Sequence, residues 1–184
     1  MYSTFCEFCG KICEFCGKLL YGKYSTRKLL HRRQPVRDFR QVGFHRIAGY
    51  ILGVDPTEAP PRLNLSAPRT IEQPYVCIAV QSTCQAKFWN NGHGWTEVVA
   101  HLKSLGYRVL CIDREPTTGH GFVWNHIPYG AEDFTGALPL QARVDLLRHA
   151  SFFIGLASGL SWLAWAAKIP VVLISGFSLP NAEF

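Results

Sequence analysis

The sequence predicts an α/β fold built on a parallel sheet. From Pro74 onward, short apolar segments typical of buried strands alternate with segments that have helical spacing, and this alternation is typical of parallel α/β units with right-handed crossovers. Hydrophobic residues make up 48% of the 184 residues and charged residues 17%, so the chain can bury a sizeable core. No run of eighteen apolar residues occurs, so we expect no membrane-spanning helix.

The predicted elements alternate from strand to helix along the second half of the chain. Continuous apolar runs predict strands that are buried on both faces, and apolar residues three or four positions apart predict helices. Gly106 is the predicted stop of the first of these helices. The predicted strands are 75–81, 107–113, 151–156 and 170–175, and the predicted helices are 95–104, 138–149 and 161–168.

Composition divides the chain into three segments. Residues 1–33 form a basic arm, which contains a perfect short repeat of Cys-Glu-Phe-Cys-Gly-Lys. Residues 34–74 are a linker rich in proline, within which 42–54 can form a short helix or turn. Residues 75–184 contain the predicted sheet.

The arm allows two interpretations. Its clustered lysines and arginines can bind nucleic acid or an acidic surface, and the alternative is a solvated, poorly folded extension. Its four cysteines, Cys6, Cys9, Cys13 and Cys16, are candidates for a Zn²⁺ or iron site, although the three-residue gap between the pairs is short for one ion. The alternative is that this segment is a translated artefact, such as a frameshifted or duplicated start, which the perfect repeat favours.

The total of seven cysteines, together with the absence of a signal peptide, indicates reduced thiols and a cytoplasmic protein.

In a parallel sheet ligands bind beyond the carboxyl ends of the strands, so the residues after each strand are the candidates for a site. After the first strand, Ser82, Thr83 and Lys87 supply hydroxyl donors and a positive charge suited to a diphosphate. After the second strand, Asp113 is placed to accept a hydrogen bond from a ribose hydroxyl. The alternatives are an ordinary polar loop and an ordinary turn aspartate.

The third post-strand segment joins a strand to an apolar helix through small residues. Ser158 is a natural N-cap, and Gly159 allows a ligand to approach the backbone. The helix N-terminus would attract an anion, whereas the alternative is simple capping of a core helix. No Gly-x-Ser-x-Gly motif or Ser/His/Asp arrangement is visible, so hydrolase chemistry has no support.

Two of these segments carry a family resemblance. Ser82-Thr83-x-x-x-Lys87-x-Trp89 with Gly94-Trp95, and the stretch from Gly155 to Ala164, resemble motifs of the bacterial lipopolysaccharide heptosyltransferases. The autotransporter heptosyltransferases are more similar still, over roughly residues 34–184. Their likeness includes 76–87, Phe122-Val-Trp-Asn-His-Ile-Pro128 and 159–166.

The resemblance implies the C-terminal, donor-binding half of a GT-B glycosyltransferase with Rossmann-like domains. It implies ADP-heptose as donor and serine hydroxyls of autotransporter adhesins as acceptors. Lys87 would hold the donor diphosphate beside Ser82 and Thr83, and Asp113 would lie near the adenosine. The helix-terminus anion site would be supplied by Ser158, Gly159, Leu160 and Ser161.

Differences from the family pattern limit which of the family's features can be assigned to this chain. Ala157 and Trp162 stand where the lipopolysaccharide enzymes have Asp and His. The family's N-terminal domain, with the acceptor site and the catalytic Asp base, is expected before residue 34, where this chain has only the arm. The family's structural iron and its role in assembling a homo-oligomer are expected in a cysteine-rich segment beyond Phe184, so this chain itself requires no cofactor.

Two hypotheses follow from the sequence. The first is a heptosyltransferase of which this chain holds the donor-binding domain, inactive alone. The second is a non-enzymatic module that binds metal or nucleic acid through the arm, with nucleic acid the less favoured partner.

Overall fold

The computed structural model describes residues 43–55 and 61–175 of the chain. The chain divides into two compact units, one of residues 1–58 with 179–184 and the other of residues 59–178. Within the first unit, helix α1 (Phe44–Leu52) confirms the short helix or turn expected at 42–54. It ends at Gly53, whose φ of 72° is the left-handed conformation that glycine adopts without a steric penalty.

The second unit contains all the remaining described elements. Every strand and helix predicted from Pro74 onward is present, with ends shifted by at most two residues. In chain order they are β1 (Tyr75–Ala79), a 3₁₀ turn (Gln85–Lys87), α2 (Gly94–Ser104), β2 (Arg108–Cys111), β3 (Thr117–His120), β4 (Val123–His126), β5 (Glu132–Asp133), α3 (Leu140–Arg148), β6 (Phe153–Leu156), α4 (Gly159–Ala166) and β7 (Val171–Ile174).

Five strands form one parallel sheet in the order β5-β2-β1-β6-β7. The chain moves outward from β1 through β2 to β5, and then returns to the other side of β1 as β6 and β7. The strand order therefore reverses between β1 and β6. In open α/β sheets the loops diverge at such a point and leave a crevice that binds ligands.

The central strand is buried on both faces, which explains its unbroken apolar sequence. Tyr75, Cys77 and Ala79 belong to the core layer on one face, which also contains Leu147 of α3 and Ala164 of α4. The alternate residues Val76 and Ile78, with Val80 just after the strand, belong to the core layer on the other face. Their partners in that layer are Trp95, Val99 and Leu102 of α2.

A two-stranded hairpin, β3 with β4, is an element that the sequence analysis did not predict. Its two-residue connection is Gly121-Phe122, and it lacks the Asn-Gly or Asp-Gly pair that marks such turns in a sequence. Only Val123 and Trp124 are large apolar residues in these two strands, so the periodicity is weak.

Part of the predicted linker lies against the sheet unit. Leu63 and Ile71 pack on the core beside α3. Residues of α3 and its C-cap hold this segment through its carbonyl groups, with Gln141 donating to Asn64 and Arg148 donating to Ala67. Residues 61–74 are therefore a packed covering of the sheet unit. The arm at 1–33 lies outside the described residues.

None of the helices in the described ranges is both long enough and apolar enough to cross a membrane.

Candidate functional site

The strand order reverses between β1 and β6, so a ligand-binding crevice is expected at the carboxyl ends of these two strands. These ends are adjacent, since Ala79 and Gly155 are paired in the parallel ladder. The loop after β1 carries Ser82, Thr83 and Lys87, and the turn after β6 carries Ser158. Strand pairing thus brings together two segments that are about seventy residues apart in sequence.

Lys87 links these two segments directly. It lies at the end of the 3₁₀ turn, and its Nζ donates a hydrogen bond of 3.1 Å to the carbonyl oxygen of Ala157. Ser82 is half-buried and Thr83 is exposed at the start of the same loop. The ammonium group therefore lies at the base of α4, where the residue types expected to bind a diphosphate come together.

The start of α4 has the geometry of an anion-binding helix terminus. Ser158 is the N-cap with extended backbone, although its hydroxyl makes no capping hydrogen bond. Its Oγ is buried and has no hydrogen-bond partner in the described part of the chain. Gly159 is exposed, and a Cβ placed there would meet no atom within 4 Å. The first N–H groups of a helix have no acceptor within it, so this end can donate to an anion.

Ser161 has a different environment from its neighbours in this turn. Its side chain is fully buried, its Oγ donates to the carbonyl of Leu156, and its N–H is bonded to Ser158 O at 3.2 Å. Both of its donors are therefore directed to acceptors within the protein. This geometry indicates a role in shaping the turn, and a direct contact of Ser161 with a ligand stays a prediction. Leu160 follows Gly159 in the first turn, and only its backbone N–H would face an anion.

Asp113 lies beneath the loop that follows β1. Its side chain is 1% exposed, and its carboxylate accepts hydrogen bonds from the N–H of Val80 at 2.8 Å and of Gln81 at 3.3 Å. Burial raises the pKa of this carboxyl, and the two amide donors act in the opposite direction. The geometry indicates that Asp113 fixes the start of the loop, while a direct contact with the adenosine stays a prediction.

Arg143 of α3 donates hydrogen bonds to the backbone at Asp113 and at Gly136. The guanidinium is 6% exposed and its Nη2 donates to the carbonyl oxygens of Asp113 at 2.7 Å and Gly136 at 2.6 Å. The hydrogen-bonding capacity of the buried guanidinium is therefore satisfied by backbone carbonyls and not by a carboxylate side chain. The carboxylate of Asp113 contributes a negative charge nearby. The sequence analysis did not identify Arg143, because an arginine on a helix ordinarily reaches solvent.

Three side-chain amides that the sequence analysis did not assign to the site join the loop after β1 to the hairpin or to the segment that leads into it. They belong to Gln81, Gln85 and Asn125. Asn125 lies in the stretch 122–128, which carries part of the family resemblance, and its side chain donates to the carbonyl oxygen of Val80 at the end of β1.

No group of three or more His, Cys, Asp or Glu side chains within 43–55 and 61–175 is arranged to hold a metal ion. The candidate ligands Cys6, Cys9, Cys13 and Cys16 lie outside those ranges. The described cysteines are free thiols, with Cys77 and Cys111 buried and Cys84 exposed.

Comparison with known proteins places this geometry in context. The family model of glycosyltransferase family 9 (heptosyltransferase) matches residues 47–182. The chain is 84% identical over 151 residues to the autotransporter heptosyltransferase BAHTCr of Citrobacter rodentium, and 82% identical over the same length to the autotransporter heptosyltransferase TibC of Escherichia coli O78:H11. In both cases the match covers 82% of this chain and 37% of the relative.

A solved structure shows the same fold. The chain superimposes with a TM-score of 0.75 on the dodecameric iron-containing heptosyltransferase TibC in complex with ADP-D-beta-D-heptose, at 81% identity, covering 82% of this chain and 39% of that one. The predicted α/β fold with a parallel sheet is thereby confirmed. The chain spans little more than a third of the length of the curated relatives it matches.

Proposed function

The chain belongs to glycosyltransferase family 9, and from this membership we propose that its sheet unit is the nucleotide-sugar-binding half of an autotransporter heptosyltransferase. The donor is ADP-heptose, the sugar nucleotide named in the complex of TibC. The acceptors are serine hydroxyls of autotransporter adhesins. The sheet unit would then be the donor-side half of a GT-B enzyme.

The observation that carries this proposal is the meeting of the two loops at Lys87 and Ala157. A diphosphate needs positive charge and directed N–H donors. The Lys87 ammonium supplies the charge, and the N-terminus of α4 supplies the donors and a favourable dipole. Gly159 adds the open space through which a phosphate can approach the backbone.

The same groups have a chemical task in sugar transfer. When the anomeric carbon of the sugar passes to the acceptor, negative charge develops on the departing diphosphate. A fixed ammonium and a helix terminus stabilise that charge more strongly in the transition state than in the bound donor, which lowers the barrier. The buried Asp113 and Arg143 contribute by holding the loop backbone in place.

Transfer also needs a base within hydrogen-bond reach of the acceptor hydroxyl. We propose that an aspartate of the family's N-terminal domain supplies it, and that the sheet unit alone binds donor without transferring heptose. The protein would work in the cytoplasm, before the adhesin is exported. By analogy with the dodecameric, iron-containing TibC, the whole enzyme would form a homo-oligomer with structural iron, for which the described residues offer no site.

Replacement of Lys87 tests the proposal. We expect Lys87→Ala to weaken binding of ADP-heptose, measured by isothermal titration calorimetry, by roughly 10- to 100-fold, because a charge-assisted contact with phosphate is lost.

Lys103→Ala is the matched control, since Lys103 Nζ also donates to a backbone carbonyl, that of Gly130 at 3.2 Å. This control should bind as the parent does. The proposal would be contradicted if the folded parent gave no heat of binding with ADP-heptose at millimolar concentration. It would also be contradicted if both variants lost affinity for ADP-heptose equally.

A further inference from the structure

Side-chain amides connect the proposed donor loop to the β3–β4 hairpin. Gln85 Nε2 donates to the carbonyl oxygens of His120 at 2.9 Å and Val123 at 2.8 Å. From the hairpin, Asn125 Nδ2 donates to Val80 O at 2.7 Å, at the point where the loop begins.

A third amide connects the same loop to the segment that leads into the hairpin. Gln81 Nε2 donates to the carbonyl oxygen of Glu115 at 2.6 Å. The loop is thus held at its first residues and at its 3₁₀ turn, while Asp113 holds the same first residues from below.

Gln85 makes two of these hydrogen bonds, and both depend on the geometry of the hairpin turn. Its single NH₂ group gives both protons to the hairpin, and the two acceptors, His120 and Val123, are the pair of residues that flank the hairpin turn. The two carbonyls are together only when the hairpin is closed. Lys87 follows two residues later in the same 3₁₀ turn, so fixing Gln85 also fixes the backbone from which the lysine side chain extends.

The hairpin also has contacts of its own. Trp124 Nε1 donates to Gly121 O at 2.8 Å across the turn. Trp124 also packs on Gly119, where a Cβ would lie 2.7 Å from the Trp124 Cα and 2.3 Å from the Val123 carbonyl oxygen. The hairpin can therefore act as a fixed support for a loop that is otherwise exposed.

We propose that Gln85 is a positioning residue, which fastens the donor loop to the hairpin and thereby holds Lys87 toward the base of α4 before the sugar nucleotide arrives. This inference rests on the proposed function of Lys87 and names a further residue on which that function depends. Without the two amide hydrogen bonds, the loop must be ordered when the ligand binds, and that ordering reduces affinity.

The test replaces the amide without changing its size. In Gln85→Glu the two N–H donors are lost and, near neutral pH, a carboxylate faces two carbonyl oxygens. We expect hydrogen exchange of the amides of residues 82–88 in the ligand-free chain to become roughly tenfold faster, and ADP to bind roughly tenfold more weakly, because hydrogen bonds of ordinary strength are removed.

The pH dependence distinguishes positioning from a general loss of packing. A protonated carboxyl regains one O–H donor, so in Gln85→Glu the protection factors of the loop should rise as the pH is lowered from about 7.5 to about 4.5, near the usual pKa of a glutamic acid. In the parent chain, the protection factors of the loop should show no comparable rise over the same pH range.

The matched control is Gln141→Glu on α3. Gln141 Nε2 also donates to a backbone carbonyl, that of Asn64 at 2.9 Å, and to Asp145. This variant should leave loop exchange and ADP binding unchanged. If Gln85→Glu does not fold, Gln85→Ala removes the same donors without adding a charge and is measured in the same way.

Unchanged loop exchange in a folded Gln85 variant, or an equal acceleration in the Gln141→Glu control, would overturn the proposal. If the parent itself binds no ADP, the proposed function fails, whereas the exchange measurement still decides whether Gln85 positions the loop. Faster exchange in the loop with parental ADP affinity would show that the contact is structural and would also count against the inference.

Discussion

At the scale of single residues, buried acidic groups on the central strands make the fold sensitive to alkaline pH. Burial raises the pKa of the Tyr75 phenol from 10.0 to about 12 and that of the Cys77 thiol from 9.0 to about 12. Burial also raises the pKa of the Cys111 thiol. These groups ionise more readily in the unfolded chain, so the unfolded state binds fewer protons and stability falls as pH rises.

The contribution of Cys77 can be isolated. We expect the free energy of unfolding of the parent chain to fall between about pH 9 and pH 12, and Cys77→Ala to remove up to about 1.4 kcal/mol per pH unit of that slope. The measurement is urea denaturation at a series of pH values. Identical slopes in the two chains would contradict the prediction.

The candidate site was predictable at some residues and not at others. Lys87, Ser158 and Gly159 could be chosen as candidates because a lysine in a loop after a strand, and small residues before a helix, are residue types that can bind an anion. Gln85 and Arg143 were not identifiable, because their partners are backbone carbonyls distant in sequence. A carbonyl is present at every position, so the sequence contains no sign of which one accepts.

At the scale of elements, β6 and α4 each contain a glycine near their junction, Gly155 in the strand and Gly159 at the start of the helix, and the two have different tasks. A Cβ at Gly155 would lie 2.5 Å from the ring of Phe153 and 3.3 Å from the carbonyl oxygen of Ala79, whereas a Cβ at Gly159 would meet nothing within 4 Å. Gly155 is therefore required for packing between neighbouring strands. Gly159 leaves space at the start of the helix.

Alanine substitutions separate these tasks. We expect Gly155→Ala to cost about 1–3 kcal/mol of stability through overpacking. Gly159→Ala should be neutral or stabilising by up to about 1 kcal/mol, since alanine is the better helix former. ADP should nevertheless bind Gly159→Ala more weakly, because the new methyl group occupies the approach to the first N–H groups. Thermal unfolding and calorimetry measure the two effects, and parental ADP affinity in Gly159→Ala would be the contrary result.

Element prediction succeeded where burial dominates and failed where it does not. β1 and β6 are buried at every position, so their apolar runs identified them. The residues of β3 and β4 are exposed or half-buried, and four of the eight are Thr, Gly or Asn. The hairpin is stabilised by its own contacts and by amide bonds to the loop, and neither produces a periodic pattern.

At the scale of the whole molecule, the two functional hypotheses depend on different parts of the chain, the arm and the sheet unit. The alternative hypothesis, a module that binds metal or nucleic acid, depends entirely on residues 1–33, which lie outside the described ranges. The donor-binding proposal depends on residues of the unit 59–178. The two can therefore be separated by removing the arm.

We expect a chain lacking residues 1–33 to bind ADP-heptose with the affinity of the full chain. The physical reason is that the contacts attributed to the donor come from the loops after β1 and β6, whose anchoring residues all belong to the sheet unit. Calorimetry on both chains, with metal analysis of the full chain after chelation, makes the comparison. Loss of binding on removal of a metal-loaded arm would favour the alternative.

The sequence by itself determined the α/β class, the identity of the buried strands and the polar segments that follow them. It did so because burial on both faces and helix starts leave local patterns of residue type. Only the tertiary structure decided that the segments after β1 and β6 meet, that Asp113 and Ser161 are turned inward, and that side-chain amides join the hairpin to the loop after β1. These outcomes depend on strand order and on hydrogen bonds to distant backbone carbonyls, which no local pattern encodes.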